Sequence, residues 1–230
     1  MNNDKAEMNT DLKVRVALDS QDMEWTPSPG GHVLRKRMHL AGPAESGQVT
    51  SVVRYLPGAN FPAHDHPGGE EILVLDGIFS DEHGDWPAGT SLLHPEGFRH
   101  RPFSREGRTL CVKLRQCPGG DRWHVATQTN ELPWSGSGRA GTSLKVLYSQ
   151  PPYTDRMRLE RWESAAAAGP INFNQGAELF VIDGSFTDEH GCYRAHSWLR
   201  IPAGGALRPT SSDSCELYIK EGGFPYLRQD

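Results

Sequence analysis

The sequence predicts an all-β protein built from one duplicated sandwich- or barrel-forming unit, and three observations carry that expectation. The 230 residues include 25 Gly and 17 Pro, above ordinary usage, so turns are frequent and long helices few. Short runs of β-branched and aliphatic residues recur between those turn formers, the pattern of sandwiches and barrels. Residues 76–84 read DGIFSDEHG and return at 183–191 as DGSFTDEHG, an offset of 107. A repeat of that length and fidelity marks a duplicated structural unit.

The alignment extends in both directions without a gap. Glu71-Ile72-Leu73-Val74-Leu75 lies over Glu178-Leu179-Phe180-Val181-Ile182, and Ser91-Leu92-Leu93-His94-Pro95 over Trp198-Leu199-Arg200-Ile201-Pro202. Leu110-Cys111-Val112-Lys113 lies over Leu217-Tyr218-Ile219-Lys220. In the first copy the predicted strands are Val49 to Tyr55, Ile72 to Leu75, Thr90 to Leu93 and Thr109 to Leu114, punctuated by Gly58, Asp76-Gly77, Gly84 and Gly97. One stretch reads as a helix, Glu160 to Ala168, stopped by Gly169-Pro170. Turn formers cluster at Pro118-Gly119-Gly120 and Ser135-Gly136-Ser137-Gly138, which places two domains at residues 1–120 and 121–230.

Composition excludes several classes of function. The net charge is −5, and the 24 Lys and Arg form no block, so no nucleic-acid partner is expected. No apolar run reaches the roughly 18 residues that span a bilayer. Met1-Asn2-Asn3-Asp4 lacks the basic-then-apolar start of a secretory signal. A cytoplasmic protein without a membrane partner is therefore expected. Cys111, Cys117, Cys192 and Cys215 form no C-x-x-C pair and no disulfide scaffold.

The chemistry concentrates in the first copy. Gly58 is followed by Ala-Asn-Phe-Pro-Ala, then His64-Asp65-His66, Pro67-Gly68-Gly69 and Glu70, with Gly77 seven residues later. Further on come Trp86-Pro87-Ala88-Gly89 and His100. This spacing resembles the two cupin motifs. Within cupins, GGEEILVLDGIFSDEHG resembles the cupin domain of ChrR-type anti-sigma factors, well over about residues 50–120 and more weakly over 160–223. The resemblance implies two tandem cupin barrels, jelly rolls of the double-stranded β-helix kind.

It also implies a metal, and elementary chemistry agrees. His64 and His66 lie two apart on a strand, so both point to one face. Inside a small barrel that face is the interior, where unpaired imidazoles and a carboxylate are costly. A divalent transition metal takes neutral imidazole and ionised oxygen as ligands. Glu70 follows across the Pro-Gly-Gly turn, and His100 comes from a later strand. The candidate ligands are therefore His64, His66, Glu70 and His100 around one ion per chain. Zinc is the first expectation, with iron and nickel as alternatives.

The second copy tests this set. At the offset of 107, His64 becomes Ile171, His66 becomes Phe173, Glu70 becomes Ala177 and His100 becomes Leu207. All four polar residues turn apolar together, as interior positions do when a shared ion is lost. The second barrel is therefore expected to be degenerate and metal-free. Glu71 persists as Glu178, which marks Glu70 as the ligand. Asp81-Glu82-His83 persists as Asp188-Glu189-His190 and reads as a polar turn between strands. His94, which becomes Ile201, reads as a partly buried strand-end histidine rather than a fifth ligand. Cys111 and Cys117 read as small buried apolar residues, with a Cys-His nucleophilic site as the other option. Arg54, Tyr55, Phe61 and Trp86 belong either to the pocket mouth or to ordinary core and rim packing.

The ChrR resemblance implies a regulator whose cupin binds zinc and senses an oxidant signal. Those factors also carry an N-terminal zinc-binding module with a His-x-x-x-Cys-x-x-Cys element. No cysteine precedes Cys111 here, so direct sigma-factor binding is not expected. Residues 1–48, with Trp25, Pro27, Pro29 and Gly30-Gly31, are expected to be strand or loop. Related cupins include iron dioxygenases that cleave diketone-like or aromatic ketone substrates, so catalysis is the competing reading. Either way the partners expected are a metal ion and a small-molecule ligand in the first barrel, and a homodimer is compatible with both.

Overall fold

The computed structural model describes residues 7–163, 169–210 and 213–228. Among them there are strands and three short 3-10 turns but no α-helix, as the turn-rich composition requires. The chain divides into two compact units, each holding one eight-stranded antiparallel sheet and one two-stranded ribbon. In the first unit the sheet order is Val125–Gln128, Thr90–His94, Glu70–Asp81, Arg108–Leu114, Gln48–Tyr55, Val33–Ala41 and Thr26–Pro27. Gly84–Pro87 folds back on the outer half of Glu70–Asp81, and His64–Asp65 pairs with Arg99–His100.

The second unit repeats this plan. Its order is Val16–Asp19, Ser197–Ile201, Ala177–Asp188, Cys215–Glu221, Arg156–Trp162, Thr142–Ser149 and Ser135–Gly136. Ile171–Phe173 pairs with Gly205–Leu207 as the counterpart of the histidine ribbon. The offset of 107 holds in three dimensions: Glu70 faces His94 across its ladder, and Ala177 faces Ile201 at the same rung.

Two expectations are revised. Glu160 to Trp162 belong to the strand Arg156–Trp162, not to a helix. Their alternation of buried and exposed residues beside Cys215–Glu221 is a half-covered strand's, and Ser164 to Ala168 lie outside the described residues. The units also depart from a simple cut after residue 120. One comprises Met23–Glu131 with the chain up to Thr10 and from Tyr226 on; the other comprises Asp11–Asp22 and Leu132–Pro225. Val16–Asp19 pairs with Ser197–Ile201, and Val125–Gln128 pairs with Thr90–His94, so each sheet takes its edge strand from beyond the sequence cut. Residues 7–48 are strand, turn and loop, as expected.

The cores differ in the way the residue exchange predicts. In the first unit Val33, Val53, Ile72, Val74, Phe79, Leu92, Leu110 and Val112 pack together, with Tyr55, Phe61, Trp86 and Leu114 against them. In the second, Ile171, Phe173, Ala177, Ile201 and Leu207 all join one buried cluster with Trp162, Phe186 and Tyr193. The apolar replacements fill the interior of their unit. Glu71 and Lys113 are cross-strand partners, as are Glu178 and Lys220, which explains why this acidic position survives in both copies. Among the described residues no helix is long and apolar enough to cross a membrane.

Candidate metal centre

Two β-ladders build the site. His64 and His100 face each other on the short ribbon, and Glu70 and His94 face each other in the sheet. Cross-strand partners share a face, so four side chains converge from four strands, and His66 joins them just past the first. The turn before Glu70 is tight. Gly69 has φ +74°, and a Cβ there would stand 2.5 Å from Cys117 Sγ and 2.6 Å from the Cys117 carbonyl oxygen. Only glycine admits both the left-handed backbone and that close approach.

The polar atoms meet at hydrogen-bond and ligand spacings. His66 Nε2 lies 2.8 Å from His100 Nε2 and 3.4 Å from Glu70 Oε2. His100 Nε2 lies 3.7 Å from the same oxygen. His94 Nδ1 stands 2.9 Å from Glu70 Oε2. His64 faces the others with its ring 4.9 Å from His66 and 5.4 Å from His100. Candidate ligand atoms of His64, His66 and His100 fall within 4.8 Å of one another, and so do those of Glu70, His94 and His100.

Hydrogen bonds on the far side of two rings fix which nitrogens face inward as lone pairs. His100 Nδ1 donates to Asp81 Oδ2 over 3.0 Å, and His64 Nδ1 donates to the Pro62 carbonyl over 3.0 Å. In its neutral form each ring then leaves Nε2 as the lone-pair nitrogen, the tautomer a metal needs. Burial alone would raise the Glu70 carboxyl, but the facing imidazoles, His66 foremost, outweigh it and hold it down at about 2. Burial in turn pushes the His66 imidazole down to about 4, against the pull of Glu70. Burial thus favours a neutral His66 imidazole beside an ionised Glu70 carboxylate.

Those donors fit a divalent transition metal. Ligands about 2.0–2.2 Å from an ion stand roughly 3–3.5 Å apart, close to the His66, His100 and Glu70 separations above. A cation would take the facing His66 and His100 nitrogens as lone pairs together with the Glu70 oxygen beside them.

A cavity of about 340 Å³ opens beside the cluster, bordered by His64, His66 and Glu70 and walled by Val53, Tyr55, Phe61, Leu110 and Val112. Tyr55 and Phe61 thus belong to the cavity. Arg54 lies over the Trp25 ring, and Trp86 Nε1 donates to Asp81. The nucleophilic option for Cys111 falls away, because burial pushes its thiol up to about 12.

Two residues hold a larger place than the sequence reading gave them. His94 is not a partly buried strand end: it is 1% exposed and bound to Glu70, with its ring stacked on Phe98 at 4.4 Å and 6°. Phe98 in turn stacks on His124. The replacement of His94 by Ile201 is the signal that finds it, since it goes apolar with the other four. Asp81 does make the expected turn, accepting from the His83 and Gly84 amides, while Glu82 and His83 are exposed. Its second oxygen, however, orients His100.

Two jelly-roll units, one carrying a buried cluster of imidazoles and a carboxylate and the other an apolar core in its place, define a metal-binding cupin of the two-barrel kind. The chain belongs to the ChrR cupin-like domain family, which matches residues 13–118 and again residues 123–225. Among solved structures it is similar to a candidate dioxygenase from Nostoc punctiforme, with a TM-score of 0.75 at 14% identity over 90% of this chain and 82% of that one. It is also similar to bacterial pirin in complex with nickel(II) from Escherichia coli, with a TM-score of 0.60 at 14% identity over 90% and 98%. A mutant of oxalate decarboxylase from Bacillus subtilis gives a TM-score of 0.61 at 13% identity over 90% and 76%. At these identities the likeness is one of fold. The comparison with curated proteins gives no match.

Proposed function

We propose that the first barrel holds one divalent transition metal, zinc foremost, through His64, His66, Glu70 and His100, and that the protein is a regulatory cupin responding to a signal at that ion. The observation that carries this reading is the convergence of ligand atoms: those of His64, His66 and His100 lie within 4.8 Å of one another, and His66 and His100 stand 3.4 and 3.7 Å from the buried Glu70 carboxylate. When bound, the ion supplies a Lewis-acid centre beside the cavity. Around it, Asp81 keeps the His100 proton on Nδ1, and His94 donates to Glu70 and fixes its rotamer. The second barrel is a metal-free packing unit.

A specific observation also favours a second reading, an iron-dependent dioxygenase. The cavity reaches three of the four proposed ligands, whereas a purely structural zinc site is closed. Metal analysis of protein purified without added metal tests the first step. One equivalent per chain is expected, falling sharply in His100→Ala and unchanged in Glu71→Ala. Two equivalents, or none, would refute it. Oxygen uptake by the iron-loaded protein with small diketones, abolished in His64→Ala, would move the protein into the catalytic class.

A further inference from the structure

Arg108 heads the strand Arg108–Leu114 and is 2% exposed. Side chains two apart on a strand share a face, so Arg108 continues the row of Leu110, Val112 and Leu114. Those three line the cavity, and Arg108 lies next in the row, past the lining and against the Tyr55 ring. Its cross-strand partner is Tyr55, another lining residue. The guanidinium carbon lies 3.9 Å from the centre of the Tyr55 ring and 4.5 Å from that of Phe79. Nη1 donates to the Phe103 carbonyl. Nε and Nη2 are buried and reach no partner at full hydrogen-bond geometry, the Tyr55 hydroxyl being the side-chain group that interacts with the guanidinium. Burial pulls the group down to about 10, and Tyr55, Asp81 and Glu70 lie close enough to oppose that shift.

A buried guanidinium with an unsatisfied edge is costly unless something fills it. Nε and Nη2 are the two parallel donors of one guanidinium edge, the fork that takes both oxygens of a carboxylate. The second copy again discriminates. The pair Tyr55 and Arg108 stands at the same rung as Trp162 and Cys215, and both replacements are buried in the apolar core. Phe79, on which Arg108 stacks, persists as Phe186. A residue needed only to brace its aromatic neighbours would have reason to persist with them. Arg108 disappears with the metal cluster instead.

We infer that Arg108 anchors the carboxylate of a small organic acid bound in the cavity of the first barrel, with the Tyr55 hydroxyl beside it and the body of the acid against Val53, Phe61 and Leu110. The inference rests on reading that barrel as metal-centred, because His64, His66 and Glu70 border the same cavity. The volume of about 340 Å³ sits at the small end of ligand pockets, which limits the ligand to a few carbons or one ring.

Calorimetric titration of acetate, butyrate and benzoate tests it, on the metal-free and the zinc-loaded protein, with benzamide as the neutral isostere of benzoate. At least one carboxylate is expected to bind one to one, at least tenfold tighter than its neutral counterpart. Arg108→Met should lose that binding tenfold or more while keeping its metal content. A folded, cooperative melting transition should be kept, which separates loss of the anchor from loss of the fold. The variant gives up the Phe103 bond and the stacking on Tyr55 and Phe79 but no longer buries a charge. Arg108→Lys keeps the charge without the fork and should bind more weakly than the wild type. Absence of carboxylate binding in both forms, equal binding of benzamide, or unchanged binding in either variant would overturn the inference. Loss of metal from the wild type would instead refute the metal reading, and the metal-free titration would still test the anchor.

Discussion

One carboxylate oxygen of Asp81 accepts the amides of His83 and Gly84, and the other accepts Nδ1–H of His100. In the second copy Asp188 keeps the turn bonds to His190 and Gly191, but its partners are now Tyr193 and Arg15. The turn explains why the residue recurs; the imidazole explains its orientation in the first barrel only. Removing such an outer partner typically costs roughly 10–100-fold in metal affinity. Asp81→Asn retains the size and the turn acceptor but presents a neutral amide to His100. It is expected to weaken zinc binding by about that factor, measured by competition with a chromophoric chelator. Affinity equal to wild type would show that His100 needs no such orientation.

At the scale of elements, the Pro67-Gly68-Gly69 turn delivers Glu70 from the histidine ribbon into the sheet. Arg115 and Cys117 donate their amides to the Gly69 and Gly68 carbonyls, and Gly69 packs on Cys117 without room for a Cβ. Gly69→Ala therefore forces the turn away from Cys117 and displaces Glu70. The expected result is a melting temperature several degrees lower together with reduced metal content. A variant with intact stability and metal would show the turn to be adaptable. The strands that carry the candidate ligands were legible because each combines β-branched residues with a flanking glycine turn, as Glu70–Asp81 and Arg108–Leu114 do. Val33–Ala41 was not, because its Arg35, Lys36, Arg37 and His39 disguise a paired strand as a polar segment. The helix expected at Glu160 arose from helix-favouring Glu and Arg, whose intrinsic preference the ladders on both sides override. Val16–Asp19 offers only four residues of signal, and its partner lies some 180 residues on, so no local pattern could assign it.

Over the whole molecule, one sequence was folded twice and its interiors were specialised in opposite directions. Offset pairs keep the scaffold: Phe79 and Phe186, Asp81 and Asp188, and the Glu71–Lys113 and Glu178–Lys220 rungs. Offset pairs also exchange the interior, with His64, His66, Glu70, His94 and His100 against Ile171, Phe173, Ala177, Ile201 and Leu207. The exchange can be tested by partly undoing it. Leu207 is fully buried opposite Ile171 at the rung where the first barrel sets His100 opposite His64. Leu207→His removes a buried side chain, whose burial is worth about 1.5–3 kcal/mol, and leaves an imidazole without a partner among apolar neighbours. Denaturant unfolding should show a loss of about 3 kcal/mol. Metal content should stay at one equivalent per chain, because one histidine facing Ile171, Phe173 and Ala177 makes no ligand set. Undiminished stability would show that the second interior is loosely packed, and a second bound metal would show that it is not an apolar core at all.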